Sequence, residues 1–369
     1  MFASRIGGGA GLGRLLAVAV LLAALAGLSL LAATGPGPLG DVVAPLTGHI
    51  VALGVVASVC LMWPRRALLL LTAGMLATLG LHSWLALARC CGAPAALAHP
   101  AQSGGQVAAA GLTVLALNTW SSRGDPDRLE RYLASQPADV VVLSEFGRRQ
   151  QPLLDRLAAV YPYRVGCGSV RPCSLALLSR LPLEAAGAAR IAADRQQPAF
   201  VWARLAGSVT VIGTHLTRPS RDPLRHADEM RALAGFLRRI AGPLVVAGDL
   251  NTTPWSGSFR LLVQATGLSP ASLLMPTWPA WPLALPQVAL DHIFVSAELV
   301  VAAAGTGPAV GSDHLPVWAR LEQPTAALHR PHAPARTLAL GLAAAGAHLG
   351  GELLAHLGGE QVGARDLRR

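Results

Sequence analysis

Three long apolar runs open the chain, and they constrain it more than any other feature. An uncharged run of about 20 residues either crosses a bilayer or is buried whole. Leu15–Ala33 is unbroken, Val42–Trp63 carries Pro45 and His49 in its first third, and Ala67–Ala88 has His82 and Ser83 near its end. At about 1.5 Å per helical residue, each run matches the thickness of the hydrocarbon. A cleaved signal peptide is the alternative for the first run, but that run exceeds the roughly 7–15 apolar residues of such peptides, and two more runs follow. Composition agrees: 52% of residues are hydrophobic and 14% charged, too apolar for one soluble globule. Residues 1–91 therefore read as a membrane region of three helices at 15–33, 42–63 and 67–88.

Arginine placement orients that region. Arg5 and Arg14 precede the first run, and Arg65 and Arg66 separate the second from the third, whereas the loop after the first run has only Asp41. The positive-inside rule puts the N-terminus and the Arg65–Arg66 loop in the cytoplasm, so three crossings leave everything after Arg89 outside. Residues 92–111 are small and polar and read as a linker, spanning roughly 25 Å as a coil. A domain follows at 112–322. The tail, 323–369, holds an apolar stretch interrupted by His348, Glu352 and His356; an amphipathic surface helix, a fourth span and disorder all fit it.

The formal charge of +10 does not mark a nucleic-acid face. Leu112–Glu322 has 20 arginines against 16 acids, the rest of the excess flanks the apolar segments, and the chain has no lysine. Cys167 and Cys173 lie in a Gly- and Pro-containing loop of the external domain, where an oxidising compartment favours a small disulfide loop; a zinc site lacks a second cysteine pair or a nearby histidine.

From Leu112 the pattern changes to short apolar strands that end in polar residues. "LTVLALN" ends in Asn118 and "DVVVLSE" in Glu145. Between them Asp125 can cap a helix that has Pro126 in its first turn and Leu129, Tyr132 and Leu133 on one face. Strand, helix, strand predicts a parallel crossover that brings Asn118 and Glu145 to one sheet edge. "FVWARLA" and "SVTVIGTH" predict a hairpin ending in His215, and a helix over Pro223–Ile240 leads to "PLVVAGDLN" with Asp249 and Asn251. "LDHIFVS" and "GSDHLPVWARL" add Asp291, Asp313 and His314. Each residue taken singly has a plain reading as a turn, a cap or a core group. Their recurrence after apolar strands points instead to a site built on strand tips.

"GDLN", "SDH" and the strand-end "SE" and "THL" resemble motifs of the endonuclease/exonuclease/phosphatase superfamily, over about 210 residues from Leu112 to Glu322. "LLSRLPL" resembles the strand before that family's central region, and Ser144 stands where the family often has Gln before its Glu. The resemblance implies an α/β fold of two packed β-sheets flanked by helices, a four-layer DNase I-like sandwich behind the membrane helices. It implies that Glu145 binds a hard cation, Mg²⁺ with Mn²⁺ as the alternative, that Asn118 adds a neutral oxygen, and that Asp313 binds metal or orients water. It implies that Asp249 takes a proton from the attacking water or orients it, with Asn251 donating to that water or to the phosphorane. His314 would donate to a phosphate oxygen, held in its tautomer by Asp291, and His215 would contact the scissile phosphate. Arg218 and Trp255 are candidates for the substrate groove.

The anchor and the resemblance to bacterial membrane-bound members predict a multi-pass inner-membrane protein with an extracytoplasmic catalytic domain. Its expected partners are membrane lipid and a phosphoester, amphiphilic rather than nucleic acid. An anchored extracytoplasmic nuclease is the alternative. A non-catalytic module is disfavoured by the joint presence of Glu145, Asp249, Asn251, Asp313 and His314.

Overall fold

The computed structural model describes residues 16–24, 26–27, 37–62 and 111–323, the last stretch without 137, 192–197, 208 and 286. The third apolar run and the tail beyond 323 lie outside the described residues.

Two six-stranded mixed sheets pack face to face. One has the order β11-β12-β1-β2-β4-β3 and the other β5-β6-β7-β8-β10-β9. The strands are β1 (Leu112–Asn118), β2 (Val140–Ser144), β3 (Tyr163–Gly166), β4 (Leu175–Ser179), β5 (Leu183–Arg190), β6 (Ala199–Leu205), β7 (Thr210–His215), β8 (Leu244–Asp249), β9 (Ser269–Pro270), β10 (Asp291–Val295), β11 (Val300–Thr306) and β12 (Val317–Glu322). Central strands are buried on both faces, which is why their sequences are continuous apolar runs. Val114, Ala116, Val140 and Val142 of the first sheet meet Val201, Val211, Val245, Ala247 and Ile293 of the second. The alternate residues of β8, Leu244 and Val246, face outward instead, onto the helices Pro223–Leu237 and Gly257–Thr266. Helices Pro126–Ser135 and Leu153–Arg156 cover the outer face of the first sheet through Leu129, Leu133 and Leu153.

Local chemistry explains the helix starts. Asp125 accepts from the Asp127 and Arg128 amides ahead of Pro126, Asp222 accepts from the Arg225 amide ahead of Pro223, and Ser256 accepts from the Phe259 amide. The Pro223 helix ends at Leu237, three residues short of the expected Ile240. Cys167 and Cys173 form the expected disulfide.

The second apolar run departs from expectation. Pro38–Val43 forms α1, Ala44–Leu46 a 3-10 turn and Thr47–Met62 α2, so the run is not one helix from 42 to 63. Pro45 sits at the break and has no N–H to carry a helical ladder across it. α1 also packs on the catalytic domain: buried Asp41 accepts from the Ser258 amide at 3.2 Å and from its hydroxyl. α2 has 16 residues, and no helix among the described residues is long and apolar enough to cross a membrane.

Candidate active site

Topology gathers the polar strand tips at one edge. β1 and β2 run parallel, pairing Asn118 with Ser144, so Glu145 follows directly. β7 and β8 run parallel across the Pro223 helix, pairing His215 with Asp249. β10 returns antiparallel to β8 and places Asp291 opposite Asp249. β12 starts beside the end of β1, so the turn carrying Asp313 and His314 enters at the same edge. Two parallel crossovers and two antiparallel returns thus bring six segments to one end of the sandwich.

Gly248 lets β8 reach the edge. Its φ is 141°, and a Cβ there would stand 2.0 Å from the Thr214 carbonyl oxygen. Beyond it the chain turns rather than continuing extended: Asn251 has φ 48°, and its amide donates to Asp249 Oδ1 at 2.9 Å. The D-x-N pair therefore converges through a side-chain-closed turn, not through the two-residue repeat of a strand. Glu145 also holds a left-handed φ, of 50°. Such strain in non-glycine residues is retained where the surrounding structure over-determines it.

Asp249, Asp291 and His314 form the buried centre, with ligating atoms all within 4.8 Å of one another. His314 Nδ1 lies 2.7 Å from Asp291 Oδ2, which also accepts from the Thr277 hydroxyl at 2.6 Å. His314 Nε2 has no hydrogen-bond partner among the described residues and stands 4.0 Å from Asp249 Oδ2. Burial alone would lower the His314 pKa, but the charge and hydrogen bond of Asp291, then the charges of Asp249 and Asp313, push it up to about 9. Burial raises Asp249, but His314, His215 and the donors Asn118 and Asn251 hold it below the usual carboxylate value. At neutral pH the ring is then an imidazolium, a donor and not a base, facing an ionised carboxylate.

A second acidic group stands beside it. Glu145 Oε1 accepts from Asn118 Nδ2 at 3.2 Å and lies 3.4 Å from Arg218, while Oε2 faces Ser121. Asp313 is raised by burial and by the charge of Glu145, partly offset by His314 and Arg218. Asp313 feels the charge of Glu145, and both carboxylates are partly open to solvent, the donor type a hard divalent cation takes. The buried trio could also hold an ion, but its imidazole bonds Asp291 through Nδ1 and, as an imidazolium, carries a proton on Nε2 and offers no lone pair there. Glu145 and Asp313 fit a cation better.

Asn118 departs from its expected role as an oxygen ligand. Its Oδ1 accepts from the Trp120 amide at 2.9 Å, and its Nδ2 donates to Asp249 Oδ2 at 2.9 Å as well as to Glu145. The Trp120 N–H dictates that orientation, so Asn118 ties the two acidic groups together. Asn251 Nδ2 donates to the Leu216 carbonyl at 3.0 Å and lies 3.4 Å from His215 Nε2. His215 is half-buried, its Nε2 3.6 Å from Asp249 Oδ2. Trp255 sits past the Asn251 turn; its carbonyl accepts from Arg260, and its ring makes no ring contact with the cluster among the described residues.

Sequence reading missed several supporting groups. Thr277 holds Asp291, and the Ser312 hydroxyl donates to the Asn118 carbonyl at 2.6 Å. His292 Nε2 meets the Thr252 carbonyl at 2.8 Å while its ring packs edge-on against Phe259. Glu229 accepts from the amide and hydroxyl of Thr217, fixing the loop after His215. Only the alternation of "LDHIFVS" carried a signal, since it points His292 to the face opposite Asp291.

The sequence profile of the Endonuclease/Exonuclease/phosphatase family matches residues 115–314. The chain belongs to this family. Family membership brings phosphoester hydrolysis and metal dependence, consistent with the two acidic groups at one edge. No curated protein matches the chain. Among solved structures it is similar to an endonuclease/exonuclease/phosphatase family protein from Bacteroides thetaiotaomicron, at 15% identity over 62% of this chain and 100% of that one, TM-score 0.48. It is similar to the endonuclease/exonuclease/phosphatase from Beutenbergia cavernae, at 20% identity over 58% and 72%, TM-score 0.45. Sphingomyelinase C from Streptomyces griseocarneus shares 20% identity over 57% and 99%, TM-score 0.43.

Proposed function

We propose that this chain is a membrane-anchored, outward-facing phosphoesterase that uses Mg²⁺ to hydrolyse an amphiphilic phosphoester, whether a lipid phosphate, pyrophosphate or phosphodiester. The observation that carries the chemistry is the pairing of the buried Asp249–His314–Asp291 centre with the Glu145–Asp313 group across Asn118. Glu145 and Asp313 would hold the cation, which when bound neutralises phosphate charge and polarises phosphorus. Asp249, ionised and fixed by Asn118 and the Asn251 amide, orients a water and accepts its proton. The water oxygen bonds to phosphorus, and the ester oxygen leaves with the electrons of the broken bond. His314, an imidazolium braced by Asp291, donates through its free Nε2 to a phosphate oxygen, and His215 borders the same space. Donors placed in this way are each worth about 3 kcal/mol of barrier. The anchor rests on the apolar runs and their flanking arginines. The modest charge excess of Leu112–Glu322 gives little support to a nuclease, because backbone binding to nucleic acid is dominated by cation–phosphate contacts.

The test is a substrate panel with purified full-length protein: phosphatidic acid, a polyprenyl pyrophosphate, sphingomyelin, and single- and double-stranded DNA. Amphiphilic phosphates should show the highest kcat/KM. Chelation should abolish turnover and Mg²⁺ restore it. Asp249→Asn and His314→Ala should each lower kcat by about 10²-fold or more with the fold intact. Near-normal turnover in either variant rejects the assigned roles, and a clear preference for DNA selects the nuclease.

A further inference from the structure

The loop from Pro276 to Leu290 contains no charged residue, and it exposes large apolar side chains beside the site. Trp281 is 53% exposed, Leu283 67% and Leu285 62%. A cluster of exposed large apolar side chains of this kind marks an interaction site. We infer that this loop docks on the lipid bilayer and sets the active site at the headgroup level.

Three observations fix that choice of partner. First, the loop is continuous with the apolar N-terminal region: the Gln287 side-chain oxygen bonds His49 in the first turn of α2. α2 carries no charge over its 16 residues and exposes Leu53 and Val56, and a helix apolar all round belongs in lipid or in a core. Second, the loop carries interfacial chemistry. Trp281 packs on Trp120 with ring centroids 5.5 Å apart, and the exposed Arg123 guanidinium lies 5.9 Å from the centre of the Trp120 ring. Tryptophan with a neighbouring arginine suits the boundary between acyl chains and phosphates. Third, the base of the loop holds the site. The Ala280 amide donates to the Asp313 carbonyl at 2.7 Å, and Thr277 holds Asp291. The same segment therefore presents an apolar tip outward and braces a candidate cation ligand and the His314 partner inward. Pro276, Pro279 and Pro282 restrict its backbone, which lowers the entropy lost on docking. Docking does not depend on which phosphoester is hydrolysed; only delivery of substrate from the lipid rests on the proposed function.

The experiment places a nitrobenzoxadiazole label on the full-length chain at Leu283→Cys or Leu285→Cys, with Cys60, Cys90 and Cys91 replaced by alanine. Val300→Cys is the control: Val300 is 50% exposed and lies at the start of β11, opposite Glu322 and so at the far end of the sandwich from the site. The protein is placed in phosphatidylcholine–phosphatidylglycerol bilayers with or without acyl-chain nitroxides. Labels at 283 and 285 should shift to the blue and lose most of their emission to the nitroxide, while the label at 300 stays water-like. Water-like emission at 283 and 285 overturns the inference. So does a blue shift that nitroxide leaves unquenched and that follows protein density, because a second copy of the chain then covers the loop. So does equal quenching at 300. The readout is not activity, so an inactive protein whose loop is quenched refutes the proposed function and leaves the docking intact.

Discussion

His314 Nδ1 lies 2.7 Å from Asp291 Oδ2, with both side chains almost wholly removed from solvent. The pair sets the pH behaviour of the site. His314 is held near 9, against about 6.5 in an unfolded chain. Its contribution to stability is therefore fully present below about pH 6.5 and is lost as pH rises through about 9. Activity that needs the imidazolium should fall over the same upper limb. Asp291→Asn should move that limb to lower pH and reduce kcat by about 10²-fold or more, read from kcat and kcat/KM profiles. An unmoved limb would mean that another group titrates.

Gly248→Ala tests the close approach at the β8 tip. The added methyl group would meet the Thr214 carbonyl oxygen at 2.0 Å, in a φ that side chains avoid. Both partners are backbone in paired strands and cannot move aside cheaply. A loss of about 2 kcal/mol or more is expected in chemical denaturation, together with reduced turnover, since Asp249 is the next residue.

Asp41→Ala tests the seating of α1. It removes the acceptor for the Ser258 amide and hydroxyl at a buried contact. Leaving those donors unsatisfied should cost about 1–3 kcal/mol, seen as a lower Tm of the full-length protein. Asp41→Asn, which keeps an acceptor oxygen, should lose less. An unchanged Tm in the alanine variant would show that α1 seats without this contact. Because of the same contact, the Leu112–Glu322 fragment should be less stable than the catalytic domain in the full chain.

His292 gives an acid-side prediction of opposite sign. Burial lowers it to about 4, opposed by its bond to the Thr252 carbonyl. Between about pH 6.5 and 4 the unfolded chain binds a proton that the folded chain refuses, so stability falls as pH falls through that window. His292→Gln, which can still donate to Thr252, should flatten that part of a Tm-against-pH curve. A slope unchanged from the parent would assign acid lability elsewhere.

Much of this was legible in the sequence because strand tips carry local signals. The apolar runs ending in Asn118, Glu145, His215 and Asp249 identified strands and one polar edge, since period and termination are properties of a few consecutive residues, whereas Asp291 opens β10 and reaches that edge because the strand returns antiparallel. Asp125 with Pro126 marked a helix start for the same reason, and the six-residue spacing of Cys167 and Cys173 allowed a disulfide. What each side chain meets depends on partners far away in the chain. Asn118 turns its amide nitrogen to Glu145 and Asp249 because the Trp120 N–H claims its oxygen, and Asp249 is 131 residues distant. Asn251 reaches the site through a left-handed turn that the Asp249 side chain closes by accepting from its amide. Asp41 read as a loop residue between apolar runs, yet it is buried against Ser258, 217 residues away. The sequence by itself determined the strands that carry the polar tips, the edge at which those tips gather and the family, because those rest on local pattern and motif, while β3, β5, β9 and β11 carry no such tip and were legible only in the fold. Tertiary structure alone decided orientation, charge state and the seating of α1, because hydrogen-bond competition and desolvation act between groups that only folding brings together.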